Sequence, residues 1–212
     1  MTTHGKFITF EGPEGGGKST HIRRLAERLK SLGHDVLLTR EPGGTPTGEA
    51  IRGILQHDHG GEALCPEAEL LLFEASRAQL VRTVILPALT RGTWVLCDRF
   101  ADSTTAYQGY GRGFDLDTIL ALNRHAVGDC VPDLTLLLDI TVREGRNRLA
   151  DRNRAQNTSS DRIEREAEEF HERVRAGFLE LAKRSPDRIK VVNVMREPDV
   201  VAGEIWELAK KI

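Results

Sequence analysis

Gly12-Pro13-Glu14-Gly15-Gly16-Gly17-Lys18-Ser19 follows the apolar stretch Phe7-Ile8-Thr9-Phe10 and fits the pattern G-x-x-x-x-G-K-[ST] between a predicted strand and a predicted helix. Each part has a chemical purpose. Glycines let successive backbone N–H groups curl around a polyphosphate without Cβ clashes. Lys18 adds a point charge at the β/γ end, and the Ser19 hydroxyl suits Mg²⁺. The helix that follows turns its positive dipole end to the same anion. Four restricted positions coincide by chance in such a chain on the order of once in a hundred. An ordinary glycine-rich turn is therefore a poor explanation, and the segment from Gly12 to Thr20, including Pro13, is the expected nucleotide-phosphate-binding loop.

Outward from this loop, strand and helix patterns alternate, which predicts an α/β layer structure with a parallel sheet. Ile22, Leu25, Leu29 and Leu32 recur at helical spacing before Gly33. Val36-Leu37-Leu38-Thr39, Thr93-Trp94-Val95-Leu96-Cys97, Leu134-Thr135-Leu136-Leu137-Leu138 and Ile189 to Val194 supply four more strands, five in all with the first. Their near-continuous apolar character is that of a sheet covered by helices on both faces. Glu67 to Leu89 reads as one long helix with Pro66 near its start and Pro87 near its end, and Ile163, Ala167, Phe170, Val174, Phe178 and Leu181 share another helical face. A polar stretch, Arg152 to Ser160, is expected as a loop. With Arg143, Arg146, Arg148, Arg162 and Arg165 around it, it is either an ordinary solvated surface or a mobile lid, at about positions 148–160, whose arginines reach transferring phosphates.

At 212 residues and a formal net charge of −2, the chain is expected to form one domain over 1–212, with no electrostatic case for a nucleic-acid or membrane partner. Cys65, Cys97 and Cys130 are widely separated and lack metal-ligand spacing, so they are expected as buried free thiols. The first residues lack the apolar core of a signal peptide, and a cytoplasmic location is expected.

Asp98 closes the third strand at its carboxyl end, the edge where ligands bind in open α/β sheets. A carboxylate there suits Mg²⁺, and Arg99 beside it suits a second phosphate, although a strand-ending salt bridge would look the same. Arg40-Glu41-Pro42-Gly43-Gly44-Thr45 ends the second strand in a turn, with Arg40 expected at a buried edge. No histidine lies in a partnered catalytic pattern, and no H-R-D or D-F-G motif occurs. A hydroxyl acceptor usually needs a base, whereas a phosphate monoester, with a second pKa near ~6, presents its own oxyanion. The inventory of cations without a base favours a nucleoside monophosphate as acceptor.

Phe10 to Thr20, Thr39 to Thr45, Leu71 to Arg77, Asp98-Arg99-Phe100, Ser103 to Gly109 and Asp161-Arg162-Ile163-Glu164 together resemble the bacterial thymidylate kinases over nearly the whole chain. The resemblance implies a P-loop NTPase fold and Mg²⁺-dependent transfer of the ATP γ-phosphate to dTMP. It implies that Glu14 meets the acceptor sugar and helps place the metal, with Ser19 and Asp98 as the metal residues. Phe73 stacks on thymine, Arg77 donates to a thymine carbonyl and Gln108 is a second base-reading amide. Tyr107 crowds out a ribose 2′-hydroxyl; Arg99 clamps the acceptor phosphate with Arg40 nearby, and Ser103 joins the acceptor contacts. A homodimer through the long helices is also implied.

Two departures stand out. Phe100 replaces the family's usual Tyr or His, and Gly15 stands where some members carry a phosphate-loop arginine. Members without that arginine supply one from the lid, which implies Arg152 and Arg154 as catalytic alongside Lys18, Arg99, Asp98 and Glu14; Arg148 is a further candidate. Val192-Asn193-Val194-Met195 borders the donor adenine by analogy, and Glu164 either touches metal or completes a helix charge pattern. A kinase for another nucleotide or for a deoxynucleoside, and a nucleotide-dependent switch, remain alternatives, the last without the N-K-x-D element such switches use.

Overall fold

The computed structural model describes residues 5–57 and 63–212. Five parallel strands, β1 (Phe7–Glu11), β2 (Val36–Arg40), β3 (Trp94–Asp98), β4 (Leu134–Asp139) and β5 (Ile189–Asn193), form one sheet in the order β2-β3-β1-β4-β5. Register sets Phe7 beside Val95 and Thr9 beside Thr135, so β1 runs through the middle. Alternate side chains serve opposite faces. Ile8, Phe10, Leu136 and Leu138 pack with Ile22, Leu25 and Leu29 of α1 (Lys18–Ser31) and Val201 and Ile205 of α9 (Pro198–Ala209). Phe7, Val95 and Cys97 pack on the other face, as does Leu137, against Phe170, Val174 and Phe178 of α8 (Glu168–Arg184).

Several sequence expectations need correction. Leu32 caps α1 and is exposed, because Gly33 with φ +87° turns the chain before another helical turn can bury it. β2 is an edge strand, so its apolar run is only half-buried and Arg40 is exposed, paired with Glu49 rather than buried. Cys97 and Cys130 are buried, but Cys65 is exposed at the N-cap before Pro66. The long helix forms as α3 (Pro66–Leu80), a π-helical turn (Val81–Ile85) and α4 (Leu86–Thr90). Pro87 has no N–H to give and its ring would press on the carbonyl four residues back, a conflict that the wider turn relieves.

α8 begins at Glu168, so Ile163 lies in the preceding turn and not on that helix face. The expected loop at Arg152–Ser160 is helical over its first half: α7 (Val142–Gln156) carries Arg152 and Arg154, and Asn157 ends it with a left-handed φ of +51°. α2 (Pro46–Gln56), α5 (Ala101–Thr104) and α6 (Leu116–Val127) complete the shell. A second π-helical turn, Thr105–Gly111, follows α5. Among the described residues, no helix is long and apolar enough to cross a membrane.

Candidate active site

A cavity of about 1070 Å³ opens above the carboxyl ends of β1, β2 and β3. Its floor at one end is the glycine loop between β1 and α1, whose Gly12, Gly15 and Gly17 have φ of +127°, +72° and +75°. No L-side chain adopts these angles cheaply, which explains why the sequence places glycine there. Lys18 is buried and donates from Nζ to the carbonyls of Gly12 (3.1 Å) and Pro13 (2.8 Å), arching over the loop it serves. Burial, then the neighbouring Arg99, lowers its pKa to about 8 against the pull of Glu14, Asp98 and Glu11. Ser19 Oγ donates to Asp98 Oδ2 at 2.9 Å, bringing the two metal residues expected from sequence together at the end of β3.

Arg99 is the junction of the site. It holds a left-handed φ of +71°, a strained setting for a non-glycine residue, directly after β3. That turn brings its Nη2 to Glu14 Oε1 (2.5 Å) and its Nη1 to Gly12 O (3.0 Å) and Ser103 Oγ (3.2 Å). Its guanidinium lies 5.1 Å from the centre of the Tyr107 ring, and Tyr107 Oη donates to Glu14 Oε1 at 3.2 Å. Burial pushes the Glu14 carboxyl up, but Arg99, Lys18, the Tyr107 hydroxyl and Arg152 bring it down to about 2. Glu14, Arg99, Ser103 and Tyr107 are thus one connected group.

Beneath it lies a residue that sequence inspection passed over. Glu11, fully buried, accepts from Phe100 N (2.8 Å), Ser103 N (3.3 Å) and Ser103 Oγ (2.5 Å), pinning the start of α5 to the end of β1. Burial and then the Asp102 charge raise its pKa to about 8, against bonds and charges from Ser103, Arg99 and Phe100. Its place beside Gly12 was the one signal available.

At the far end, Phe73 is half-buried and lines the cavity, so its ring is not sequestered in the core of α3. Gln108 lines the same end, buried, with Nε2 donating to Glu69 at 2.8 Å. Arg77 also borders the cavity but is 1% exposed, and its guanidinium is engaged throughout. It meets Glu41 and Glu74 at 2.8 Å each, Asn123 Oδ1 at 2.8 Å, Thr104 Oγ1 at 2.8 Å and Phe100 O at 3.3 Å. One oxygen each of Glu41 and Glu74 has no protein partner. Burial lifts Glu41 to about 7 in spite of Arg77. Phe100 fills space: its ring meets Phe7 edge-on at 5.0 Å.

The arginines around the opening divide by helix face. Arg148 and Arg152, one turn apart on α7, line the cavity, and Arg152 Nη2 donates to Glu164 at 3.0 Å. Arg154 does not line it; half a turn round the helix, it pairs with Asp151 and is largely exposed. Glu164 and Asp161 bond to one another's backbone N–H, closing a turn at the rim, while burial raises the Glu164 pKa. Arg40 and Arg52 line the opposite wall; Arg52 belongs to no motif and went unnoticed in the sequence. Beside the glycine loop a second cavity of about 720 Å³ is bordered by His21, Arg148, Val194 and Met195.

A glycine loop with a buried lysine, a serine–aspartate pair, and an aromatic and arginine-lined second compartment define a P-loop nucleotide phosphotransferase. A family model described as thymidylate kinase matches residues 10–205. The chain belongs to the thymidylate kinase family, and is thus a nucleoside monophosphate kinase. It is 52% identical over 201 residues to the thymidylate kinase of Syntrophotalea carbinolica, covering 94% of this chain and 93% of that one. It is 51% identical over 208 residues to that of Pelotomaculum thermopropionicum, with 98% and 94% covered. The crystal structure of thymidylate kinase from Ehrlichia chaffeensis superposes with a TM-score of 0.78 at 36% identity, covering 97% of this chain and 99% of that one.

Proposed function

We propose that this enzyme transfers the γ-phosphate of ATP to dTMP, giving dTDP and ADP, by direct in-line displacement without a covalent intermediate. The observation that carries the proposal is the single cavity with Lys18 and Ser19 at one end and Phe73, Tyr107 and Gln108 at the other, bridged by Arg99. Lys18 moves from the carbonyls of its own loop to the β/γ-phosphates, and Arg99 draws the acceptor phosphate into line. Because that phosphate is already an oxyanion near neutral pH, no base is required; two mutually repelling anions need cations and alignment.

Mg²⁺ fits the residues present, since Ser19 and Asp98 set a hydroxyl and a carboxylate side by side and the metal prefers few protein oxygens plus phosphates. Held there by Ser19 and Asp98, it would supply charge neutralisation to the transferring phosphates. Glu14, held anionic by Arg99 and Tyr107, accepts from the deoxyribose 3′-hydroxyl, and the Tyr107 ring occupies the space a 2′-hydroxyl needs. Phe73 stacks on thymine, Gln108 reads its edge, and Arg40 and Ser103 border the acceptor phosphate. Arg77, saturated by its buried partners, presents a fixed charge behind the base. Arg152 is the lid cation that replaces the arginine absent at Gly15. The lid, at about positions 148–160, comprises the end of α7 and the stretch that follows it. A cytoplasmic homodimer built through α3, where Leu71 is exposed, completes the proposal.

A panel of acceptors with γ-labelled ATP tests this. Phosphoryl transfer to dTMP far above thymidine, dCMP and dGMP is expected. Preference for thymidine overturns it, and ATP hydrolysis indifferent to dTMP points to a switch instead.

A further inference from the structure

Gln108 has a planar amide with a donor end and an acceptor end, and which end faces the cavity decides what base it recognises. Its Nε2 donates to Glu69 Oε1 at 2.8 Å. Glu69 lies in the first turn of α3, 1% exposed, one helical turn before Phe73. Its Oε1 also accepts from Arg112 Nε (3.2 Å), while Oε2 accepts from Arg112 Nη2 (3.1 Å) and Arg162 Nη2 (2.5 Å). Burial alone would raise its pKa, but the bonds from Arg112, Gln108 and Arg162 bring it below the usual carboxylate value. An ionised carboxylate only accepts, so the amide of Gln108 cannot be turned round without setting oxygen against oxygen.

We propose that Glu69 is the positioning residue that fixes Gln108 with its carbonyl oxygen towards the base, so that the site selects a pyrimidine with an N–H at ring position 3. This rests on the acceptor site proposed above, in which Gln108 meets the base. A 2,4-dioxopyrimidine such as thymine donates from N3 and is satisfied. A 4-aminopyrimidine such as cytosine presents a lone pair at N3, leaving two acceptors opposed in a buried site. Discrimination by a fixed polar group is far steeper than discrimination by size. Arg112, itself tied to Glu166 at 2.6 Å and 4.7 Å from the centre of the Phe170 ring, holds the carboxylate from behind. Arg162 links the same carboxylate to the lid.

Turnover constants for dTMP and dCMP in four variants test the assignment. Gln108→Leu and Glu69→Gln should each reduce the preference for dTMP over dCMP by roughly tenfold or more, the double variant no further. In Glu69→Gln the loss should appear in KM for dTMP, with kcat at saturation within a few-fold. Arg162→Gln removes, of the bonds to Glu69, only the one at Oε2, together with a bond to the Leu55 carbonyl, and should keep the preference. An unchanged preference in Gln108→Leu overturns the acceptor site itself. Loss in Gln108→Leu with none in Glu69→Gln, or an equal loss in Arg162→Gln, overturns the role of Glu69. Glu69→Asp, which keeps the charge but withdraws the oxygens by one methylene, gives the same comparison if Glu69→Gln does not fold.

Discussion

A Cβ on Gly15 would stand 2.3 Å from the carbonyl oxygen of Gly145, and one on Gly145 would stand 2.4 Å from the carbonyl oxygen of Glu14. The two glycines let the start of α7 press against the phosphate loop. This contact gives the missing phosphate-loop arginine a physical reason: no side chain fits at Gly15 while α7 lies there. Gly15→Ala should therefore destabilise the protein by about 2 kcal/mol, from positive φ together with backbone crowding. Gly15→Arg should displace α7 and lower both the melting temperature and kcat. A Gly15→Arg enzyme with unchanged melting temperature would remove the contact from the account.

With that position closed, the proposed source of the charge is the lid, and helix geometry separates the two candidates. Arg152 lines the cavity and Arg154 faces solvent with Asp151. Arg152→Ala should lower kcat by about 10²-fold, in the range for one charge-stabilising group. Arg154→Ala should stay within about twofold, as surface ion pairs contribute little. Equal losses in steady-state assays would mean that α7 rotates on closure and that both arginines act.

Lys18→Met should cost about 10²–10³-fold in kcat while leaving dTMP binding, followed by calorimetry, within a few-fold. The lysine also bridges two loop carbonyls, so its removal should loosen the loop, seen as faster amide exchange at Gly15 and Gly16. Near-normal turnover in this variant would sink the mechanism.

The five strands and the phosphate loop were legible because each is a local pattern: apolar runs, glycines at fixed offsets, a lysine and a serine. Phe73, Tyr107 and Gln108 came from the family resemblance, not from spacing, which would have put Phe73 in the core. What stayed hidden depends on contacts between distant elements. Arg40 appeared buried because its strand is apolar, but that strand is the edge of the sheet. Arg154 and Arg152 looked equivalent until the helix extended to Gln156 and gave them different faces. Glu11 and Glu69 are single carboxylates in unremarkable runs; only the fold brings Ser103 to the first and Gln108 to the second.

Buried carboxyls make a pH prediction with a definite sign. Glu11 rises from 4.5 to about 8 in the folded protein, so between these values the native state binds the proton more tightly than the unfolded chain. Its contribution is fully present below 4.5 and is lost as pH rises through about 8. Glu41, raised to about 7, acts in the same direction. Glu11→Gln should therefore flatten part of the decline in denaturant-measured stability across this window, while the Glu41 part remains. A slope identical to the parent would show that Glu11 is ionised throughout.

Arg77 joins stability to recognition more tightly than its place in the motif suggests. Its guanidinium is 1% exposed and meets Glu41 and Glu74 at once, two carboxyls that each keep an oxygen without a protein partner. Removing the arginine leaves both buried acids uncompensated, a change of about 3–5 kcal/mol. Arg77→Met should lose that stability in urea melts and lose dTMP affinity as a consequence. Arg77→Met with Glu41→Gln and Glu74→Gln removes the stranded charge and should recover most of the melting temperature. If dTMP affinity returns with it, Arg77 acts by holding the acceptor pocket together. If stability returns and affinity for dTMP stays low while that for ATP is normal, the guanidinium meets thymine directly, and the bound complex must then open at least one of the bonds seen here.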